Sequence, residues 1–441
     1  MPVNIRELLE PVYQTILAAY TQPPMPGLPA GNGQSDTFIT INWPWQEIDE
    51  KQYGNAWSPQ NPTGSQDAVE NITLLTDNIP SLSPIYEPSG NSVVNIYSQI
   101  LNASPLSPPA ANKGVRGGLD SASNRVLGSN MPGDDAAAAA PDTSAFLNEM
   151  GNRTEVTTAT EAGRPVTVVS VSDDVFKEAE LHAAYSDAAA SLTAKRMQFN
   201  LADPAQAQQW AALAPQYEAA VKTAWDALER HNQQAELKTS VGISLSFEDE
   251  ASSPPGAKDM LASSANGDDD TPPNPITQAF YRARSVFEGS RLASAKNPRM
   301  SYHPTYVTPA NFADPEAAKL WPSIQILPTQ IRAGSGATNS QISFKFTRVN
   351  LIRPWLALSL LKLNGWGVQG MGPGYLSNGM NADNDGAFAL LPTAMIVVRD
   401  LSITPVGTNA ADADSYALLT SKGLQILAWI NKVVPFSPPA R

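Results

Sequence analysis

The spacing of apolar side chains changes several times along this chain, and each change predicts a different element. Leu8, Leu9, Val12, Tyr13, Ile16, Leu17 and Tyr20 recur at three- and four-residue intervals. That is one stripe of a helix over 4–20, and Asn4 and Glu7 have the separation of a capping box. Thr37–Trp43 alternates and is rich in β-formers, so a strand is expected. An Asn91 cap before Val93, Val94, Tyr97, Ile100 and Leu101 predicts a second helix.

The middle of the chain reads most sharply. Glu155–Thr160 and Val166–Val171 flank turn residues at 162–165, the pattern of a β-hairpin. Ser172 or Asp173 caps a helix reaching about 200, with Leu181, Tyr185, Ala188 and Leu192 on one stripe. Asp203-Pro204 then joins an N-cap to a proline at the first helical position. The helix it opens carries Trp210, Leu213, Tyr217, Val221, Ala224 and Leu228 on one face to about 237, with a kink expected at Pro215. Thr239–Phe247 returns to alternation and predicts a strand, so a helical hairpin at 172–237 is expected between two strands.

Asn274-Pro275 repeats the cap-plus-proline signal and opens a helix to about 290, with Ile276, Phe280, Tyr281 and Phe287 inward. Beyond it, strands are expected at 323–327, 341–351, 356–363, 394–404 and 424–434. Ile342, Phe344 and Phe346 share one parity while Val349 and Leu351 take the other, which suggests a β-bulge near Arg348. Residues 103–153 and 249–273 are rich in Pro, Gly, Ala and Asp, and have too little apolar surface to repay their chain entropy alone. The expected fold is therefore α+β: a β-rich, sandwich-like core with an inserted antiparallel helical hairpin and long Pro/Gly/Ala-rich loops. Residues 1–102 contribute a helix and strands to that core, 103–153 is a loop, 154–248 is the β-hairpin with its helical insertion, 249–273 is an acidic linker, and 274–441 is a β-rich region led by one helix.

Composition narrows the function classes. Among 441 residues, 29 Lys+Arg face 42 Asp+Glu, a net charge of −13 that repels phosphate, so nucleic acid and anionic membrane are not expected partners. Charged residues make up 16%, against about a quarter in an ordinary soluble domain. No cysteine is present, which removes disulfides, thiolate metal sites and cysteine nucleophiles. The longest apolar runs are broken by Arg353, Pro354, Lys362 and Pro392, short of the roughly 18–20 residues of a membrane helix. The first residues lack the basic-then-apolar pattern of a secretory signal, so synthesis in the cytoplasm is expected, with any release by lysis or a dedicated machine.

Reactive side chains are sparse. Of the three histidines, His182 and His231 fall on the expected helices and read as polar surface residues, and His303 has no sequence neighbour to make it a ligand. Gly365–Gly370 matches G-x-G-x-x-G, but Met371-Gly372-Pro373-Gly374 follows where a nucleotide-binding helix would have to start. Asn381, Asp383 and Asp385, with Gly386, have the spacing of the first half of a calcium loop and are the candidate metal ligands; Pro392 stands where the closing Glu belongs, and a β-turn competes as a reading. No other cofactor is expected.

Candidate interaction residues are aromatic: Trp43, Trp45, Trp210, Tyr217, Trp225 and Trp355. Taken together, the pattern leads to a non-enzymatic, self-assembling structural protein whose arms and helical hairpin make a homo-oligomer. Two alternatives remain: a pore-forming or insecticidal-type toxin that inserts the 172–237 hairpin into a membrane, and a lectin-like carbohydrate binder using its tryptophans.

Overall fold

The computed structural model describes residues 5–21, 25–28, 37–102, 104–105, 154–161, 164–171, 173–246, 275–326, 339–363, 366–368, 374–406 and 423–435. The helices are α1 (Ile5–Thr21), α2 (Glu50–Tyr53), α3 (Gln66–Thr76), α4 (Val93–Leu101), α5 (Asp173–Arg196), α6 (Pro204–Ser246), α7 (Pro275–Gly289) and α8 (Pro315–Ala318), with a 3-10 turn at Leu358–Lys362. The strands are β1 (Thr37–Ile48), β2 (Asn78–Pro80), β3 (Pro88–Ser92), β4 (Ser104–Pro105), β5 (Thr154–Glu161), β6 (Arg164–Val171) and β7 (Leu292–Ala293). They continue with β8 (Ser301–Tyr302), β9 (Tyr306–Thr308), β10 (Ser323–Ile326), β11 (Asn339–Ile352), β12 (Trp366–Gly367), β13 (Leu390–Val406) and β14 (Leu424–Val433). The class is mixed α+β. The loops expected at 103–153 and 249–273 lie outside the described residues, apart from Ser104-Pro105.

Five strands run side by side, all antiparallel, in the order β1-β14-β13-β11-β10, and β9 joins the far end of β11. Helices cover both faces of this sheet. On one face, Val12, Ile16, Ala19 and Tyr20 of α1 and Ala190 and Ala194 of α5 pack on Ile39, Phe344, Phe346, Ile396 and Ile430. On the other, Ala68, Val69 and Ile72 of α3 pack with Phe312 on Val349, Leu351, Met395, Val397 and Trp429. A strand buried on both faces reads as continuous apolar sequence, which is the character of Ala394–Val398. A third cluster gathers α4, α7 and the 3-10 turn around Trp355, Trp366 and Phe388.

Two-sided burial explains the parity switch in β11, and it corrects the expected bulge. Phe344 and Phe346 face the α1 side and Val349 and Leu351 face the α3 side, with no irregularity at Arg348. The register shift lies between Ser343 and Lys345, opposite β13, where Asp400 takes φ +54° and supplies the extra residue.

Other expectations are corrected too. Thr239–Ser246 ends α6 as helix rather than forming a strand. Extending a nucleated helix adds a hydrogen bond per residue, and no described strand pairs with the segment. Leu356, Ala357, Leu360, Leu361 and Leu363 are buried around the 3-10 turn instead of lying on a strand, because a short apolar run has no period that separates the two. Helix α4 is capped by Ser92, whose Oγ accepts the Asn95 N–H at 3.1 Å, not by Asn91. Tyr281 of α7 points outward, 48% exposed. Pro215 sits within α6, which continues through it.

Arg353, just past β11, fastens the two layers. Its guanidinium is buried and donates to the Pro392 carbonyl at 2.6 Å on β13 and the Thr76 carbonyl at 2.7 Å, the last residue of α3. Burial lowers its pKa to about 10, opposed by Asp77, so it stays charged at neutral pH. Replacing it by methionine leaves two buried carbonyls without donors. Arg353→Met is expected to lose about 2–4 kcal/mol of stability, read by urea unfolding at neutral pH; a loss under ~0.5 kcal/mol would remove Arg353 from this role.

Candidate functional site

A group of buried and half-buried polar side chains lies where α1 and α5 meet β11. Its origin is a gap in strand pairing. On its outer edge β11 pairs with β10 through Ile342–Lys345 and with β9 from Asn350 onward. Between them the Phe346 N–H reaches the Pro322 carbonyl at 3.0 Å. The Arg348 N–H, two residues on, points the same way and needs an acceptor.

Helix α5 fills the gap. The side turned to the sheet is Ala179, Ala183, Ser186, Ala190 and Ala194, spaced at three and four and uniformly small, so the helix backbone can come close to the strand. The Asn350 Nδ2 donates to the Ala179 carbonyl at 3.0 Å. Arg348 donates through Nη1 to the Ser186 Oγ at 2.8 Å and through Nε to the Asn350 Oδ1 at 2.7 Å, and its guanidinium lies 5.9 Å from the centre of the Tyr20 ring. Asp187 accepts the Arg348 backbone N–H. Burial raises the Asp187 carboxyl to about 7 against the pull of Arg348, raises Tyr20 well above the ordinary phenol range, and lowers His182 and Arg348. The cluster is a polar seam inside an apolar interface.

On its opposite side α5 carries Leu181, Tyr185, Ala188 and Leu192, which pack against Trp210, Tyr217, Val221, Trp225 and Leu228 of α6. Tyr185 and Trp225 lie 5.3 Å apart, Phe199 and Trp210 5.7 Å. Trp210, Tyr217 and Trp225 are thus half-buried between two helices. Trp43 and Trp45 occupy the irregular stretch of β1 between Ile41 and Gln46, edge to face at 5.1 Å, and pack on the α1 side of the sheet. Trp355 is fully buried, its Nε1 donating to the Pro304 carbonyl at 2.8 Å.

Asn381, Asp383 and Asp385 are all exposed, on a loop whose centre is Asn384. The Asn384 Oδ1 accepts from the Asn378 and Gly386 N–H groups, and its Nδ2 donates to the Ser377 Oγ and the Met380 carbonyl. A side chain at Gly386 would meet the Leu376 carbonyl oxygen at 2.3 Å. The even-numbered residue between the candidate ligands therefore organises this turn, with Asp383 at φ +54°. Among the described residues no three His, Asp or Glu side chains gather as a metal site would need.

His303 lies face to face with Phe287 at 3.7 Å and beside Trp355. The Ser290 hydroxyl donates to the Phe287 carbonyl at 2.7 Å, so it accepts the His303 Nδ1–H at 2.9 Å. The free Nε2 accepts from the Arg291 Nε at 3.3 Å. That bonding suits the neutral ring, and burial together with Arg291 lowers its pKa to about 4.

Sequence reading passed over Ser186, Asp187, Arg348 and Asn350 as a group. A signal was present: Phe344, Phe346, Arg348 and Asn350 share one parity, so an apolar face continues in polar residues. No family model, no curated protein and no solved structure matches this chain.

His303 gives a signed prediction. Unfolded, it binds its proton near pH 6.5; folded, near 4. Between these values the unfolded chain binds more protons, so the folding constant falls by up to tenfold per pH unit as pH drops from about 6.5 to about 4. The gap in urea-unfolding stability between His303→Gln and wild type is expected to shift in favour of the variant across that window; a constant gap contradicts the assignment.

Proposed function

We propose that this chain works as a structural, self-assembling protein, with homo-oligomers as its working form and contact rather than bond-making as its chemistry. The observation that carries the reading is the outer edge of β1. Among the described residues only Ile41 is bonded there: its N–H to the Pro84 carbonyl at 2.8 Å, and its carbonyl to the Tyr86 N–H at 2.7 Å. Backbone groups on alternate residues point the same way, so Thr37 and Ile39 turn theirs to that edge of a twelve-residue strand, where Thr37 is half-buried and Ile39 is covered. An edge short of strand partners is where another chain adds once the edge is uncovered.

The helical pair supports the same reading. Helix α6 has 43 residues and is about 65 Å long at 1.5 Å per residue. Helix α5 has 24, so α6 offers a long outer face to a neighbour. In this proposal the β-rich core is sandwich-like in the assembly, the inserted helical hairpin and the 103–153 and 249–273 arms wrap adjoining copies, and the chain is made in the cytoplasm. The proposal includes no catalytic centre, resident cofactor or nucleic-acid partner. As for the toxin alternative, no described helix is long and apolar enough to cross a membrane.

Sedimentation velocity over a micromolar range, at low salt and at physiological salt, tests the reading. Species larger than the 47.0 kDa chain are expected, more abundant at the higher salt because screening weakens repulsion between chains of net charge −13. A single species of chain mass throughout would overturn it.

A further inference from the structure

The seam between α1, α5 and β11 contains an acid whose bonding is incomplete. Asp187 accepts the Arg348 backbone N–H, yet its Oδ1 is sealed from solvent with no hydrogen-bond partner. Two of the Arg348 guanidinium's bonds run to Ser186 and Asn350. The Tyr20 hydroxyl, near enough to interact with the charge on Asp187, is also buried and unpartnered. A carboxylate there leaves an acceptor-only oxygen out of water; a neutral carboxylic acid has an O–H to donate as well as oxygens to accept, and carries no charge to desolvate.

We propose that Asp187 takes up a proton when α5 seats in the gap along β11, so that raising the pH toward neutrality loosens α1 and α5 and, with them, α6. The titratable or charged groups that interact with it among the described residues are Tyr20 from α1 and Arg348 from β11; His182, on α5 itself, interacts with Arg348 and with Glu178. The Arg348 guanidinium and its backbone N–H favour the ionised acid; burial outweighs them and holds the carboxyl near 7 in place of its usual 3.8. Between those values the seated form holds one proton more than the released form. The stabilisation is therefore full below about pH 4, falls by up to tenfold in the seating constant per pH unit, and is gone above about pH 7. His182 and His303 slope the opposite way, so the difference between wild type and an Asp187 variant isolates this group. The inference holds whether or not the chain assembles.

Native-state hydrogen exchange of the full chain tests it, with protection in 176–196 and 344–352 taken relative to an unstructured chain at the same pH. From about pH 4 to about pH 7, wild-type protection there is expected to fall relative to Asp187→Asn by up to tenfold per pH unit. Equal slopes in the two proteins, or wild-type protection that rises relative to the variant, overturn the proposal. Should Asp187→Asn not fold, the wild type alone decides. Infrared spectra at about pH 5.5 are expected to contain a protonated carboxylic acid that is lost by about pH 8, and the absence of that band overturns the proposal.

Discussion

A β-strand with a gap in its partner must find other acceptors for the backbone donors in that gap, and β11 finds them on a helix. The stretch between Lys345 and Asn350 is left open by β10 and β9, and its outward N–H groups cannot be buried bare. Helix α5 supplies Asp187 to the Arg348 N–H and Ser186 to the Arg348 side chain, and Asn350 returns a bond to the α5 backbone. Such close bonding needs a helix face of alanine and serine, which Ala179, Ala183, Ser186 and Ala190 provide. The order of the layers follows: α5 is fixed by the strand edge, α1 packs beside it over the same sheet face, and α6 packs on the far side of α5.

This arrangement makes α5 a hinge between two kinds of packing. Toward α6 it buries large side chains, Tyr185 and Leu192 against Trp225 and Val221, where apolar area dominates. Toward the sheet it combines small apolar residues with a charged, hydrogen-bonded seam, where a missing partner is costly. On the opposite face of the sheet the buried arginine among the described residues is Arg353, bonded to two main-chain carbonyls. Charge inside this molecule joins elements to one another, whereas His303 makes its join to α7 as a neutral ring, stacked on Phe287 and bonded to Ser290.

Much of this was legible from residue spacing. The strands β11, β13 and β14 stand where alternation and apolar runs placed them, and the stripe Leu181, Tyr185, Ala188, Leu192 is the side of α5 that meets α6. The other side of α5 was not legible, because alanine and serine give almost no periodic signal and a strand gap is a property of the whole sheet. Asp187 reads locally as an ordinary polar helix residue. Thr239–Ser246 alternates like a strand but extends a helix already formed, and Leu356–Leu363 has an apolar run too short to show a period. At 381–385 the chemistry-bearing side chains drew attention, while Asn384 between them makes the bonds. Arg348 was noticed for the parity change around it, whose cause is that β11 buries Phe346 on one face and Val349 on the other.

The account rests on the claim that α5 and β11 are held together by the Arg348 seam as a coupled unit, and a double-mutant cycle addresses this directly. Unfolding free energies of wild type, Ser186→Ala, Arg348→Met and the double variant give the coupling between the two side chains. The account predicts a coupling of about 1–3 kcal/mol, because removing either side chain takes a hydrogen bond from the other in a buried interface. Additive losses, with a coupling within about 0.3 kcal/mol of zero, would show that α5 is seated by apolar contact alone and would contradict it.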